Sequence, residues 1–121
     1  MAQVLGIGGV FFRSEDPAAL AEWYETHLGI PPTPASPNMQ PWISEQGVTV
    51  FAPFPKDSNY FPKDRTFMLN FRVADLDATL KELSAAGIES GEEVEMEGIG
   101  RFARIHDPDG NPIELWEPNQ S

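Results

Sequence analysis

The chain has 121 residues, with 19 acidic against 8 basic side chains, a formal net charge of -11 at pH 7 and no cysteine. That charge repels phosphate backbones and anionic lipid surfaces, which sets aside nucleic acid and membranes as partners. Without cysteine there is no disulfide, no thiolate metal site and no thiol nucleophile.

The length suits one domain, or two small halves sharing a core, and it buries enough surface to fold without a metal. The start, Met1 to Gly6, has no basic stretch followed by an apolar run. No apolar run approaches the ~20 residues that cross a bilayer. The expectation is a cytoplasmic protein.

Val4 to Arg13 is rich in β-branched and aromatic residues and is predicted as a strand. Asp16-Pro17 supplies an N-cap with proline at the first helical position. Leu20, Trp23, Tyr24, His27 and Leu28 follow at helical spacing, and Gly29 stands where a left-handed C-terminal residue is wanted. Trp42–Ser44 and Val48–Ala52 are two short strand candidates. Residues 53 to 65 hold three prolines and no periodicity, and read as a connector.

The second half repeats the order. Thr66–Ala74 is a predicted strand, Asp75 an N-cap, and Leu76, Leu80 and Leu83 an apolar helical stripe ending at Gly87. Ile88–Val94, Arg101–His106 and Pro112–Glu117 are strand candidates, the last two joined by the turn Asp107-Pro108-Asp109-Gly110. Each half is thus β-α-β-β-β, with module one at residues 4–53 and module two at residues 66–118. Neither can bury its own sheet face, so the two should pack as a pair.

This layout resembles the vicinal oxygen chelate superfamily, which includes glyoxalase I, bleomycin-resistance proteins and extradiol dioxygenases. The residues that carry the likeness are Gly9 to Asp16, Trp23-Tyr24 and Leu28-Gly29, then Asn70 to Leu76 and Asp107 to Trp116. The resemblance implies an α+β fold in which two βαβββ modules pair into a cupped eight-stranded mixed sheet. A helix covers the convex side of each half. It also implies pairing within one chain or by exchange between two chains, and a homodimer is expected.

In that superfamily each module offers two inward positions to a divalent metal. Counted from the capping aspartates and the last strands, these fall on Gly9, Thr49, Met68 and Glu114. Only Glu114 is an ordinary ligand for a hard or borderline cation; a thioether prefers soft ions, and glycine has no donor side chain. No metal site and no cofactor are therefore expected.

Strand alternation assigns the remaining lining. Phe11, Arg13, Thr49, Phe51, Met68, Asn70, Arg72, Phe102, Arg104, Glu114 and Trp116 share the cup face, with Trp42 beside them. Val10, Phe12, Leu69, Phe71, Val73, Ala103, Ile105, Ile113 and Leu115 face the helices. An aromatic cup with a few polar groups suits a small molecule, and the arginines suit an anionic group on it.

Plainer roles stand beside these. Glu114 reads either as a general base or as a relic ligand paired with Arg104 or Arg13. The arginines read equally as strand-end ion pairs with Glu15, Asp75 or Asp107. His27 reads as a helix-end residue, Met68 as core filler, and Trp23 and Tyr24 as packing. His106 divides between the turn and the cup. Phe54, Tyr60 and Phe61 in the connector read as a lid or an interface patch.

The leading expectation is a glyoxalase/bleomycin-resistance-like protein without the metal, binding a small aromatic or apolar molecule, anionic in one form. The alternatives are a glyoxalase-type metal-dependent lyase or isomerase, a metal-free acid–base enzyme using Glu114, and a regulatory interaction module.

Overall fold

The computed structural model describes residues 3–119, so Met1 and Ala2, at the start of the segment Met1 to Gly6, lie outside the described part. The element order is α1 (Pro17–Leu28), β1 (Leu69–Arg72), α2 (Leu76–Ala85), β2 (Val94–Met96), β3 (Gly100–His106) and β4 (Pro112–Pro118). Among the described residues no helix is long and apolar enough to cross a membrane.

Both helices start and stop where their local chemistry dictates. The Asp16 carboxylate accepts from the Ala19 amide at 3.1 Å, with Pro17 opening α1. Gly29 closes it at φ 69°, in the left-handed region that favours glycine. Asp75 accepts from the Ala78 amide at 3.0 Å. At the other end of α2 the Ile88 amide donates to the Leu83 carbonyl at 2.9 Å and Gly87 to Ser84 at 3.0 Å. That reciprocal pair is a Schellman motif, with Ile88 packed back on the core.

The sheet is mixed and four-stranded, in the order β1-β4-β3-β2. β1 runs parallel to β4 with Asn70 opposite Glu114 and Arg72 opposite Trp116. β3 runs antiparallel to β4 with Arg104 opposite Glu114 and Phe102 opposite Trp116. The β-α-β-β-β order of the second half is therefore realised. Its second strand is shorter and later than the expected Ile88–Val94, and all three of its residues are exposed. Before it, the Gly91 amide donates to the Arg104 carbonyl at 2.9 Å. A short, acidic edge strand of this kind resists pairing with other chains.

The first half departs from expectation. Residues 4–13, 42–44 and 48–52 belong to no strand, so the described residues form four strands rather than eight. Leu5 is 99% exposed and Phe11 95% exposed. The physical reason is that β propensity describes fit to a pleated, half-buried surface and needs a partner ladder before it acts. These segments have none in the single chain.

Both helices pack on one face of the sheet. Leu20 and Tyr24 from α1 join Leu76 and Leu83 from α2 against Ala103, Ile105, Ile113 and Leu115. Along β1 the alternation is plain, Leu69 and Phe71 half-buried, Asn70 and Arg72 exposed. The central strand β4 is buried on both faces from Pro112 to Trp116.

Two polar contacts tie the layers. The Tyr24 hydroxyl donates to Asp107 Oδ2 at 2.6 Å, in a buried setting. Asp107 Oδ1 also accepts the amides of Asp109 and Asn111 at 2.9 Å each, which closes the β3–β4 turn. From β4, Glu117 Oε1 accepts the Leu76 amide at 2.8 Å and so caps α2. Arg65, at the end of the connector, donates to Asn111 Oδ1 and to the Asp109 carbonyl at 2.9 Å each.

Candidate functional site

The face opposite the helices carries two rows of side chains, set by strand register. The first row runs Asn70, Glu114, Arg104 across β1, β4 and β3. The second runs Arg72, Trp116, Phe102. Six of the residues expected in the cup thus share one face: Asn70, Arg72, Phe102, Arg104, Glu114 and Trp116.

The second row is an aromatic platform. Phe102 and Trp116 lie 5.8 Å apart between centroids with planes 7° apart, a parallel stack. The Trp116 indole N–H donates to the Ile99 carbonyl at 3.1 Å, which locks the ring's orientation. Gly100, at φ 140°, makes room: a Cβ there would sit 2.2 Å from the Glu117 carbonyl oxygen and 2.8 Å from Trp116 Nε1.

The first row is polar and centred on Glu114, which is 8% exposed. Its Oε1 accepts from Asn70 Nδ2 at 2.8 Å, and its Oε2 accepts the Tyr60 hydroxyl. A buried carboxylate requires such partners. The expected pairing of Glu114 with Arg104 or Arg13 is replaced by these two. Burial first, then the hydrogen bond to Glu114, push the Tyr60 phenol up to about 12.

Arg104 serves the same corner. Its NH2 group donates to the Tyr60 carbonyl at 2.8 Å, and its guanidinium lies 5.5 Å from the Tyr60 ring centroid. Its Nε is buried and has no acceptor among the described residues. The connector therefore lies against this face through Tyr60, with Phe54 5.5 Å from Tyr60 and 5.7 Å from Phe61. The sequence marks Tyr60 only as part of a lid or an interface patch. A phenol reaching 54 positions along the chain to a carboxylate leaves no periodic signal.

At the far end of the second row, Arg72 donates to the Glu45 carbonyl at 2.8 Å. Gly47 lies so close that a Cβ would meet Arg72 NH1 at 1.7 Å. The expected strand-end ion pairs are not those made. Among the described residues the ion pairs are Arg101 with Asp77 at 2.6 Å and with Glu93 at 2.5 Å.

The first-half candidates are not gathered here. Phe11 and Phe51 are 95% and 83% exposed, and Arg13 and Thr49 are exposed. Trp42 stands edge-on to Phe71 at 6.3 Å, on the helix-facing parity. Met68 is half-buried just before β1. Without a ladder under residues 4–13 and 48–52, nothing carries those side chains to the Glu114 face.

Two clefts lie elsewhere. One of about 360 Å³ runs between α1 and the β3–β4 turn, lined by Asp16, Trp23, His27, Pro108 and Asp109 among others. The other, about 380 Å³, is lined by Trp23, Glu89, His106 and Pro108 among others. Of the residues weighed for the cup, only His106, divided in the sequence between turn and cup, borders either cleft.

The family's metal does not fit the donors available. Gly9, Thr49 and Met68 supply no strong donor, and both Glu114 oxygens are engaged by Asn70 and Tyr60. Among the described residues no three His, Asp or Glu side chains gather around one point.

Comparison with known proteins adds the family. TnmS3, an antibiotic binding protein from Streptomyces sp. CB03234, is similar over 87% of this chain and 88% of its own, at 22% identity and TM-score 0.54. A member of the glyoxalase/bleomycin resistance protein/dioxygenase superfamily from Sphaerobacter thermophilus DSM 20745 covers 86% and 90%, at 21% identity and TM-score 0.53. At those identities the likeness is one of fold.

A glyoxalase/bleomycin resistance protein from Streptomyces sp. CB03234 reaches 35% identity over 40% of this chain and 42% of its own, TM-score 0.38. The chain thus spans about two fifths of the length of the relatives it matches at 35% and 39% identity. No curated protein matches. The model of the Glyoxalase/Bleomycin resistance protein/Dioxygenase superfamily matches residues 6–115, and the chain belongs to that superfamily.

Proposed function

We propose that this protein binds a small, flat aromatic molecule against the Glu114 face, held by the Phe102–Trp116 platform and oriented by Arg104, Asn70 and Arg72. The observation that carries this reading is the stack beside a polar row: a planar apolar surface 5.8 Å from ring to ring, next to a guanidinium with an unused donor. Small-molecule sites combine these features, apolar area for affinity and few polar groups for orientation. An anionic substituent on the ligand suits Arg104 or Arg72. The antibiotic-binding description of TnmS3 is in keeping with such a role.

The same reading includes a homodimer whose partner completes an eight-stranded cup. The chain exposes 9665 Å², whereas a compact monomer of its mass exposes about 6,500 Å². The difference, about 3,200 Å² per chain and so about 6,300 Å² for a pair, is as large as the most extensive obligate dimer interfaces. Phe11, Arg13, Trp42, Thr49 and Phe51 would enter the lining through that assembly, with the modules at residues 4–53 and 66–118 as the paired units. Sedimentation equilibrium at micromolar concentration checks this part, a monomeric mass counting against it.

The glyoxalase-type alternative has one ordinary ligand among four positions, and no observation favours it. The binding reading is tested by a thermal-shift screen of aromatic acids on the wild-type chain and on Arg104→Ala. A hit that stabilises the wild type and loses most of its effect in the variant supports it. Equal shifts in both chains count against it.

A further inference from the structure

Tyr60 is placed as a ligand would be. Its ring lies by the guanidinium of Arg104 at 5.5 Å, and its hydroxyl donates to a carboxylate whose other side-chain partner among the described residues is Asn70. Yet it belongs to no helix or strand, it is 44% exposed, and its segment holds few backbone hydrogen bonds. Ser58 bonds Pro55, and Arg65 bonds Pro62; the Tyr60 amide itself is satisfied by its neighbour Ser58 Oγ at 3.2 Å. A side chain so held is displaced at small cost to the fold.

Beside it, Arg104 Nε–H is buried without an acceptor. An orphaned donor of this kind is normally satisfied in native proteins. Tyr60 does not satisfy it: its carbonyl accepts the NH2 group and its hydroxyl donates to Glu114. The corner therefore specifies a phenolic donor for Glu114, a π-face for Arg104 and one more acceptor that Tyr60 lacks.

We propose that Tyr60 is an internal occupant of the ligand site, and that the true ligand is a phenol-bearing aromatic carrying a second acceptor, a carbonyl or carboxylate, that displaces it. The ligand's hydroxyl takes over Glu114 Oε2, its ring takes the guanidinium face and its acceptor takes Arg104 Nε–H. The proposal rests on the reading of the Glu114 face as a binding site and names the ligand class for it. It also gives the connector a function, since apparent affinity is lowered by the fraction of time Tyr60 holds the site.

The test uses 4-hydroxybenzoate as probe, titrated calorimetrically into the full chain, with benzoate as the analogue lacking the hydroxyl. If Tyr60 occupies the site nine-tenths of the time, Tyr60→Ala binds 4-hydroxybenzoate about tenfold more tightly than wild type. Tyr60→Phe, which keeps the ring and loses the hydroxyl, gives a smaller gain. Benzoate binds each chain more weakly than 4-hydroxybenzoate. Because the chain has only two tyrosines, 3-fluorotyrosine labelling reports displacement directly. The Tyr60 resonance shifts on saturation and that of buried Tyr24 does not.

Equal or weaker binding by Tyr60→Ala, no preference for the phenol, or no heat with any chain at millimolar probe each overturns the proposal. Arg104→Ala separates the two levels. If it abolishes aromatic binding while Tyr60→Ala changes nothing, the site stands and the occupant does not. If Arg104→Ala leaves aromatic binding intact, the reading of the face falls with it.

Discussion

Tyr24, on the first helix, donates its hydroxyl to Asp107 at the start of the β3–β4 turn, across 83 positions of sequence, at 2.6 Å. Asp107 also holds the amides of Asp109 and Asn111 and the Asn111 side chain. One carboxylate thus shapes the Asp107-Pro108-Asp109-Gly110 turn and docks α1, which among the described residues is the first-half element that reaches the buried core. Burial first, and the Asp107 hydrogen bond next, push the Tyr24 phenol far above its ordinary range, so it stays a donor at any physiological pH.

Tyr24→Phe keeps the packing and removes the donor. It leaves a buried carboxylate oxygen one partner short, which costs about 1–3 kcal/mol. Urea denaturation should show a lower midpoint with an unchanged slope. An unaltered midpoint would show that the bond contributes nothing net. Asp107→Ala removes the turn's anchor as well and should destabilise more.

Gly100→Ala should be costlier than its one methyl suggests. The residue sits at φ 140°, and a Cβ would press on the Glu117 carbonyl at 2.2 Å, a backbone atom of the neighbouring strand. Strain at such a position costs on the order of 1–3 kcal/mol. The displacement also reaches Trp116, so its fluorescence should change together with thermal stability. A wild-type spectrum in a destabilised variant would disconnect the two effects.

Alkaline titration follows from Tyr60. Its folded-state pKa is raised to about 12 from an ordinary 10.0. A raised value means that the folded state holds the proton more tightly, so the contribution is complete below pH 10. It is lost as pH rises through 12. Phenolate absorbance should show neither tyrosine ionising at pH 10 in the folded protein. Glu114→Gln removes the carboxylate's charge and weakens its acceptor while leaving the burial, and should move the Tyr60 midpoint down but keep it above 10. A wild-type midpoint at 10 would deny the hydrogen bond in solution.

Arg101 provides the contrast to Arg104. Its ion pairs with Asp77 and Glu93 are at the surface, where screening leaves little net stabilisation. The Arg101 guanidinium holds the Asp77 carboxyl below its ordinary value. That small contribution is present above pH 4 and is lost on acidification. Arg101→Ala should leave stability at neutral pH and aromatic binding nearly unchanged, whereas Arg104→Ala should weaken binding. Loss of binding in both variants would point to a general electrostatic effect instead of a site.

The second half was legible because its signals are local and mutually consistent. Asp75, the Leu76–Leu80–Leu83 stripe and the turn at Asp107 each act within a few residues, and period-two alternation places Asn70, Glu114 and Arg104 on one face. The first half was legible only where the same kind of signal operates, at Asp16, Pro17 and Gly29. Val4–Arg13 and Val48–Ala52 carry strand composition, but composition does not supply the neighbouring ladder that a strand needs.

The covalent order of residues alone determined the helix ends, the parity of β3 and β4, and the lack of donors at Gly9, Thr49 and Met68, because each depends on side-chain identity at fixed spacing. Tertiary structure alone decided that Tyr60 holds Glu114, that Tyr24 docks on Asp107 and that Arg104 keeps an unused donor. Those contacts join groups dozens of positions apart, and the closure of such loops is governed by packing of the whole molecule, on which no local pattern bears.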